Sequence, residues 1–183
     1  QMSGTLTVWA DANRSPVLKT LAEQFKADTG VTVNIVVKDN GKIRDEFITA
    51  APTGKGPDVV FGAHDWTGKF VQNGVIAPVE LGATASQFED VTVKAFTYEG
   101  KVYGVPYAVE NIALVRNTAL APDAPTSWDD LVAKGKAAVS SGKAKYPLLL
   151  QQDAVQGDAY HMYPLQASFG APVFATAADG SVD

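Results

Sequence analysis

Apolar positions change their period repeatedly along the first 75 residues. TLTVWA at residues 5–10 is a short apolar run that breaks into the polar DANRS, which predicts a strand followed by a loop. Ser15-Pro16 reads as a helix start, an N-cap hydroxyl and then proline at the first helical position. Val17, Leu18, Leu21 and Phe25 follow at helical spacing, and Gly30 is placed to end the helix. Val31, Val33, Ile35 and Val37 then alternate, predicting a strand over 31–37. Helical spacing returns over 42–51, with Ile43, Phe47, Ala50 and Ala51 on one face. DVVFGA at 58–63 is continuously apolar, as suits a strand covered on both faces, and a third helix is predicted over 65–74.

Strand and helix alternating three times predict an α/β fold with a parallel sheet. Ligands of open α/β sheets bind at the carboxyl ends of the strands. Two loops fall there: 10–15, with Asn13-Arg14, and 64–66, with His64-Asp65-Trp66. Farther along, Glu99-Gly100 reads as a hairpin-like turn, and Glu110 interrupts an apolar stretch. Ser127 and Asp130 form a capping box that opens a helix ending at Gly142. YPLLLQQ at 146–152 predicts a buried strand, and 159–170 predicts a helix containing Pro164. The region after about residue 111 has too few elements to close a second domain and reads as the opening portion of one, cut at Asp183.

Composition narrows the chemistry. Hydrophobic residues make up 46% of the 183 and charged residues 19%, the balance of a globular chain. The formal charge is −5, from 15 basic and 20 acidic residues without a basic stripe, which argues against nucleic acid as partner. With no cysteine there is no thiol nucleophile, Cys-zinc site or disulfide, and two histidines supply a metal site poorly. TGKG at 53–56 lacks the Ser or Thr and the first Gly of a phosphate loop, and SSGK at 140–143 lacks the companion motifs of acyl-serine enzymes. No cofactor motif is left.

Asp65, Glu110 and Asp158 lie where apolar segments meet polar ones. A pair of such carboxylates could serve a glycosidase as acid and base or nucleophile. They could equally accept hydrogen bonds from sugar hydroxyls without reacting, and Asp65 could simply cap a helix. A pyranose has an apolar face and a polar rim, so its site needs aromatic faces beside carboxylates, amides and cations. Trp66, Tyr160 and Tyr163 offer the first; Asn13, Arg14, Asp65, Glu110 and Asp158 offer the second.

Four segments, FKADTGVTVNI, GKGPDVVFGAHDW, GKVYGVPYAVENIALVRN and APTSWDDL, occur in an order and spacing that resembles the extracellular sugar-binding proteins of ABC importers, most closely the maltose/maltodextrin binders. The resemblance covers residues 4–183. It implies a periplasmic-binding-protein-like α/β fold of two lobes, with residues 1–108 forming most of lobe one, 109–112 a hinge crossing and 113–183 an incomplete lobe two. By position it implies ligand contacts from Asn13, Arg14, Arg44, Asp65, Trp66, Glu110, Asp158 and Tyr160, with a short insertion before the last two. Trp66 stands where enteric maltose-binding members have arginine, Gly62 where they have a tryptophan, and Arg44 where they have glutamate.

The implied function is non-catalytic capture of a malto-oligosaccharide, outside the cell or in the periplasm, for delivery to membrane permease subunits. A lipid anchor through a removed N-terminal segment is part of that expectation. Alternatives are a different sugar or small solute on the same fold, and a hydrolase using Asp65 or Glu110. A second chain or a copy of this one would complete a truncated lobe two.

Overall fold

The computed structural model describes residues 2–152, 154 and 157–174, and the chain divides into two units, Gln1–Val109 and Glu110–Asp183. The first is built on a three-stranded parallel sheet. Strand β1 (Gly4–Asp11) lies between β2 (Val31–Lys38) and β3 (Val59–Val60), in the order β2-β1-β3. β1 pairs with β2 along its whole length, Gly4 opposite Val31 through Asp11 opposite Lys38, whereas β3 pairs only through Val59 and Val60. The doubly flanked end of β1 is therefore the sheet's core, and Val8, Trp9, Ala10 and Asp11 are all buried.

Alternation along β1 sends neighbouring side chains to opposite faces. Trp9 joins Ile43 and Phe47 of helix α2 (Ile43–Ala50) and Phe70 of helix α3 (Thr67–Gln72) in one buried cluster. Phe47 meets Phe70 edge to face at 5.0 Å and Trp9 at 6.4 Å, the arrangement favoured by the aromatic quadrupole. Val8, with Val33 and Ile35 of β2, lies beside helix α1 (Ser15–Thr29). Within α1 the buried residues are Ser15 and Ala22, while Val17, Leu21 and Phe25 are exposed. The row 17, 21, 25 runs beside the buried line instead of under it.

Three local expectations are corrected. Ser15 is the first helical residue and not the cap; its Oγ donates to the Asp11 carbonyl at 2.7 Å. The N-cap is Arg14, and no side chain caps the helix; the Asp11 Oδ1 instead folds the preceding loop, accepting from the backbone N–H groups of Asn13 (2.8 Å) and Arg14 (3.1 Å). The third strand is shorter than 58–63, although Asp58 N donates to the Thr7 carbonyl and Phe61 N to the Trp9 carbonyl, each at 2.9 Å. With Trp9 opposite Val60, β1 ends two positions farther on at Asp11 and offers no backbone to Ala63. The helix expected over 65–74 opens instead with a 3₁₀ turn, His64–Trp66, before α3. A hairpin of β4 (Thr97–Tyr98) and β5 (Lys101–Val102), preceded by the short helix α4 (Asp90–Ala95), turns through Glu99 and Gly100 at φ 47° and 75°. Positive φ at both central residues matches the twist of the hairpin strands.

In the second unit, helix α5 (Trp128–Ser140) starts where the Ser127 side chain accepts from the Asp130 N–H at 3.1 Å. The Asp130 carboxylate reaches back one residue farther than a capping box requires, accepting from Thr126 N at 2.9 Å. Gly142, at φ 70°, closes the helix: its N–H donates to Val139 and that of Lys143 to Ala138, the paired bonds of a Schellman motif. Helix α6 (Ala159–Ser168) holds Pro164 internally. Residues 146–152 form no strand, contrary to expectation, because among the described residues of this unit no strand exists to pair with them. They run instead past α5, so close that a Cβ on Gly135 would lie 2.4 Å from the Pro147 carbonyl oxygen.

Candidate ligand site

A parallel sheet delivers all its carboxyl ends to one edge. Asn13 and Arg14 follow β1, Arg44 follows β2 in the first turn of α2, and Asp65 and Trp66 follow β3. The topology thus collects these five residues along the edge where open α/β sheets bind ligands.

At the centre of that edge, Arg14 is held by protein on two sides. Its Nη1 donates to Asp11 Oδ2 and its Nε to the Tyr107 hydroxyl. The Arg14 Cζ lies 5.5 Å from the Tyr107 ring centroid, and Tyr107 in turn meets Phe61 edge to face at 5.2 Å. Burial pushes the Asp11 carboxyl up, but the Arg14 guanidinium and the N–H groups of Arg14 and Asn13 outweigh it and hold the group below its ordinary pKa. Burial likewise disfavours the Arg14 cation, and the Asp11 carboxylate and Tyr107 oxygen more than restore it, so its pKa is raised. The pair is net neutral. A neutral polar ligand meets donors there without a field that demands an anion.

Arg44 belongs to a second charged group. Its Nε and Nη2 donate to the Asp45 carboxylate at 3.1 and 3.4 Å, and Lys69 Nζ approaches Asp45 Oδ1 at 3.0 Å. These two cations hold the exposed Asp45 carboxyl at a pKa of about 2. Asp45 raises the pKa of Arg44, and the Asp65 carboxylate adds a smaller contribution of the same sign.

Asp65 is exposed and caps nothing: neither the 3₁₀ turn nor α3 has a side-chain cap. Trp66 is half-buried, its ring 6.1 Å from Phe70 and laid over Gly62, where a Cβ would stand 2.5 Å from Cε3. One part of the indole therefore serves the core.

Glu110, Asp158 and Tyr160 belong to the second unit. Glu110 is exposed. Asp158 is the N-cap of α6, accepting from His161 N at 3.0 Å and paired with His161 Nδ1 at 2.7 Å. The His161 N–H is the main reason its pKa is lowered. Tyr160 is exposed, with its ring edge-on to His161 at 5.3 Å. Among the described residues no three His, Asp or Glu side chains gather as a metal site, and no helix is long and apolar enough to cross a membrane.

Residues 20–182 match the profile of a family described as bacterial extracellular solute-binding protein. The chain belongs to that family. Among its relatives, the maltotriose-binding protein of Pyrococcus abyssi is 31% identical over 134 residues, covering 70% of this chain and 29% of its own length. The maltodextrin-binding protein of Bacillus subtilis is 31% identical over 172 residues, covering 92% of this chain and 40% of its own. The maltooligosaccharide ABC transporter solute-binding lipoprotein of Streptococcus pneumoniae is 28% identical over a stretch of the same coverage. The chain thus spans at most two fifths of the length of these three relatives. All three are named as binding proteins.

The residues that inspection of the sequence passed over are Asp11, Phe61 and Tyr107. Asp11 had a local signal, a carboxylate two and three positions before Asn13 and Arg14. Tyr107 had none, since it reaches Arg14 across 93 residues of sequence.

Proposed function

We propose that the chain is part of the sugar-binding component of an ABC importer, taking a maltose-type oligosaccharide outside the membrane and delivering it to the permease. In this reading Asn13, Arg14, Arg44, Asp65 and Trp66 contact the sugar from the first unit, and Glu110, Asp158 and Tyr160 are further contacts from the second. Residues 1–108 and 113–183 are then the beginnings of two lobes joined at 109–112. The names of the relatives support the sugar class, and the lipoprotein among them supports a membrane-anchored form.

One observation carries the reading. The loops after β1 and β3 bring a charge-neutralised arginine, an exposed carboxylate and an indole to the carboxyl edge of one sheet. A carboxylate and a guanidinium hydrogen-bond hydroxyls, while an aromatic face covers the C–H side of a pyranose. Isothermal titration with maltotriose tests this. Saturable heat is expected in the wild type. A hydrogen bond to a charged group is worth about 1.5–3 kcal/mol, so Asp65→Ala is expected to weaken binding by about 10- to 150-fold. Because Asp65 bonds to none of the described residues, its unfolding midpoint should stay put. Equal affinity in Asp65→Ala and Trp66→Ala would reject these site residues.

A further inference from the structure

Arginine has five N–H donors in one rigid plane. In Arg14 the Nε–H is given to the Tyr107 hydroxyl and one Nη1 N–H to Asp11 Oδ2. Both Nη2 hydrogens and the second Nη1 hydrogen have no partner among the described residues. Two fixed points set the direction of the whole plane, so the remaining donors form a preset fork. Arg14 keeps 38% of its side-chain surface exposed, against 10% for Asp11, so it is the guanidinium that faces outward.

Tyr107 is itself fixed at its ring by Phe61, which directly follows β3. Through it the loops after β1 and β3 share one contact. The Tyr107 hydroxyl accepts from Arg14, so its own proton remains available, and the residue is 54% exposed. Asp11 fixes the fork within its own loop; Tyr107 fixes it relative to the neighbouring strand end, where Asp65 and Trp66 lie.

Resting on the reading of this edge as a sugar site, we propose that Tyr107 is a positioning residue: it holds the Arg14 guanidinium so that its free fork is preset for two neighbouring hydroxyl oxygens of a neutral sugar. The consequence is selectivity. A ligand with adjacent hydroxyls satisfies the fork without conformational adjustment, whereas a deoxy analogue leaves one donor unpaired.

Tyr107→Phe removes one oxygen and keeps the ring on Phe61, so the variant should fold as the wild type does. The chain has three arginines, Arg14, Arg44 and Arg116, and their Nε–H resonances can be resolved by NMR, with Arg14→Lys identifying the first. In Tyr107→Phe the Arg14 resonance is expected to shift and exchange with water faster, while those of Arg44 and Arg116 stay in place. Affinity for maltotriose is expected to fall about tenfold, the worth of one lost hydrogen bond. Arg14→Lys should then cost less in the Tyr107→Phe background than alone. An unmoved Arg14 resonance overturns the proposal, as does a moved resonance with unchanged affinity. If the wild type binds no sugar at all, the sugar reading fails first; a moved resonance would then show Tyr107 holding Arg14 with no ligand to position it for, which also overturns the proposal.

Discussion

Replacing Gly62 by alanine should push an indole out of its seat. The backbone at Gly62 does not require glycine for a positive φ, so the cost is steric. A Cβ there would stand 2.5 Å from Trp66 Cε3 and 2.6 Å from Cζ3, and the third-nearest atom, at 3.6 Å, belongs to the same indole. Carbon atoms settle at about 3.5–4.0 Å, so the ring must withdraw by about 1 Å. It cannot slide freely, because Trp66 packs on the cluster of Trp9, Ile43, Phe47 and Phe70. Overpacking of this kind costs about 1–3 kcal/mol. Removing the indole should abolish that cost, since no other atom lies closer than 3.6 Å. The assay is urea unfolding of wild type, Gly62→Ala, Trp66→Ala and the double variant in a Trp128→Phe background. There Trp9, buried in the first unit, reports on all four chains. A coupling of about 1–3 kcal/mol between the two sites is expected. Additive costs, or a Gly62→Ala chain as stable as wild type, would refute the packing argument.

The Asp45 carboxyl should titrate near 2 by NMR instead of near its ordinary 3.8. Its pKa is depressed on folding, so the stabilisation it brings is complete above pH 3.8 and drains away as the pH falls toward 2; Lys69→Met should raise the value, and a value near 3.8 in the wild type would remove the ion-pair account. Asp158→Ala should destabilise the second unit by about 1 kcal/mol through loss of the α6 cap, whereas Asp158→Ser should retain most of that stability. Weak sugar binding by the well-capped serine variant would identify a ligand role beyond the cap; equal binding would leave the cap alone. Gly135→Ala should lower the thermal midpoint of the second unit despite the better helix propensity of alanine, because a backbone oxygen 2.4 Å away cannot step aside as a side chain can. A raised midpoint would mean that Pro147 does not lie on α5.

Sequence periodicity was sufficient where burial is local and continuous. β1, α1, β2 and α2 were legible because each carries a strand-like run or a helical spacing of apolar residues within a short stretch, and Gly30 and Gly142 marked helix ends closed by a left-handed residue. The loops carrying Asn13, Arg14, Asp65 and Trp66 could be placed in advance because a parallel sheet sends every carboxyl end to one edge. The second unit was less legible. YPLLLQQ has the composition of a strand, but a strand needs a neighbouring ladder, which is a property of other residues. Tertiary structure alone decided what the polar groups at the edge do. It left α1 without a side-chain cap, turned Asp11 onto the N–H groups of the loop before it, gave Arg14 to Asp11 and Tyr107, and spent Asp158 on a helix terminus. It also laid Trp66 on Gly62, turning an aromatic that looked wholly available into one shared with the core. The physical reason is common to all of these. Apolar periodicity reports which face of an element avoids water, and it is written within a few consecutive residues. A hydrogen bond or a ring contact depends on atoms within a few ångströms, and those atoms can come from anywhere in the chain.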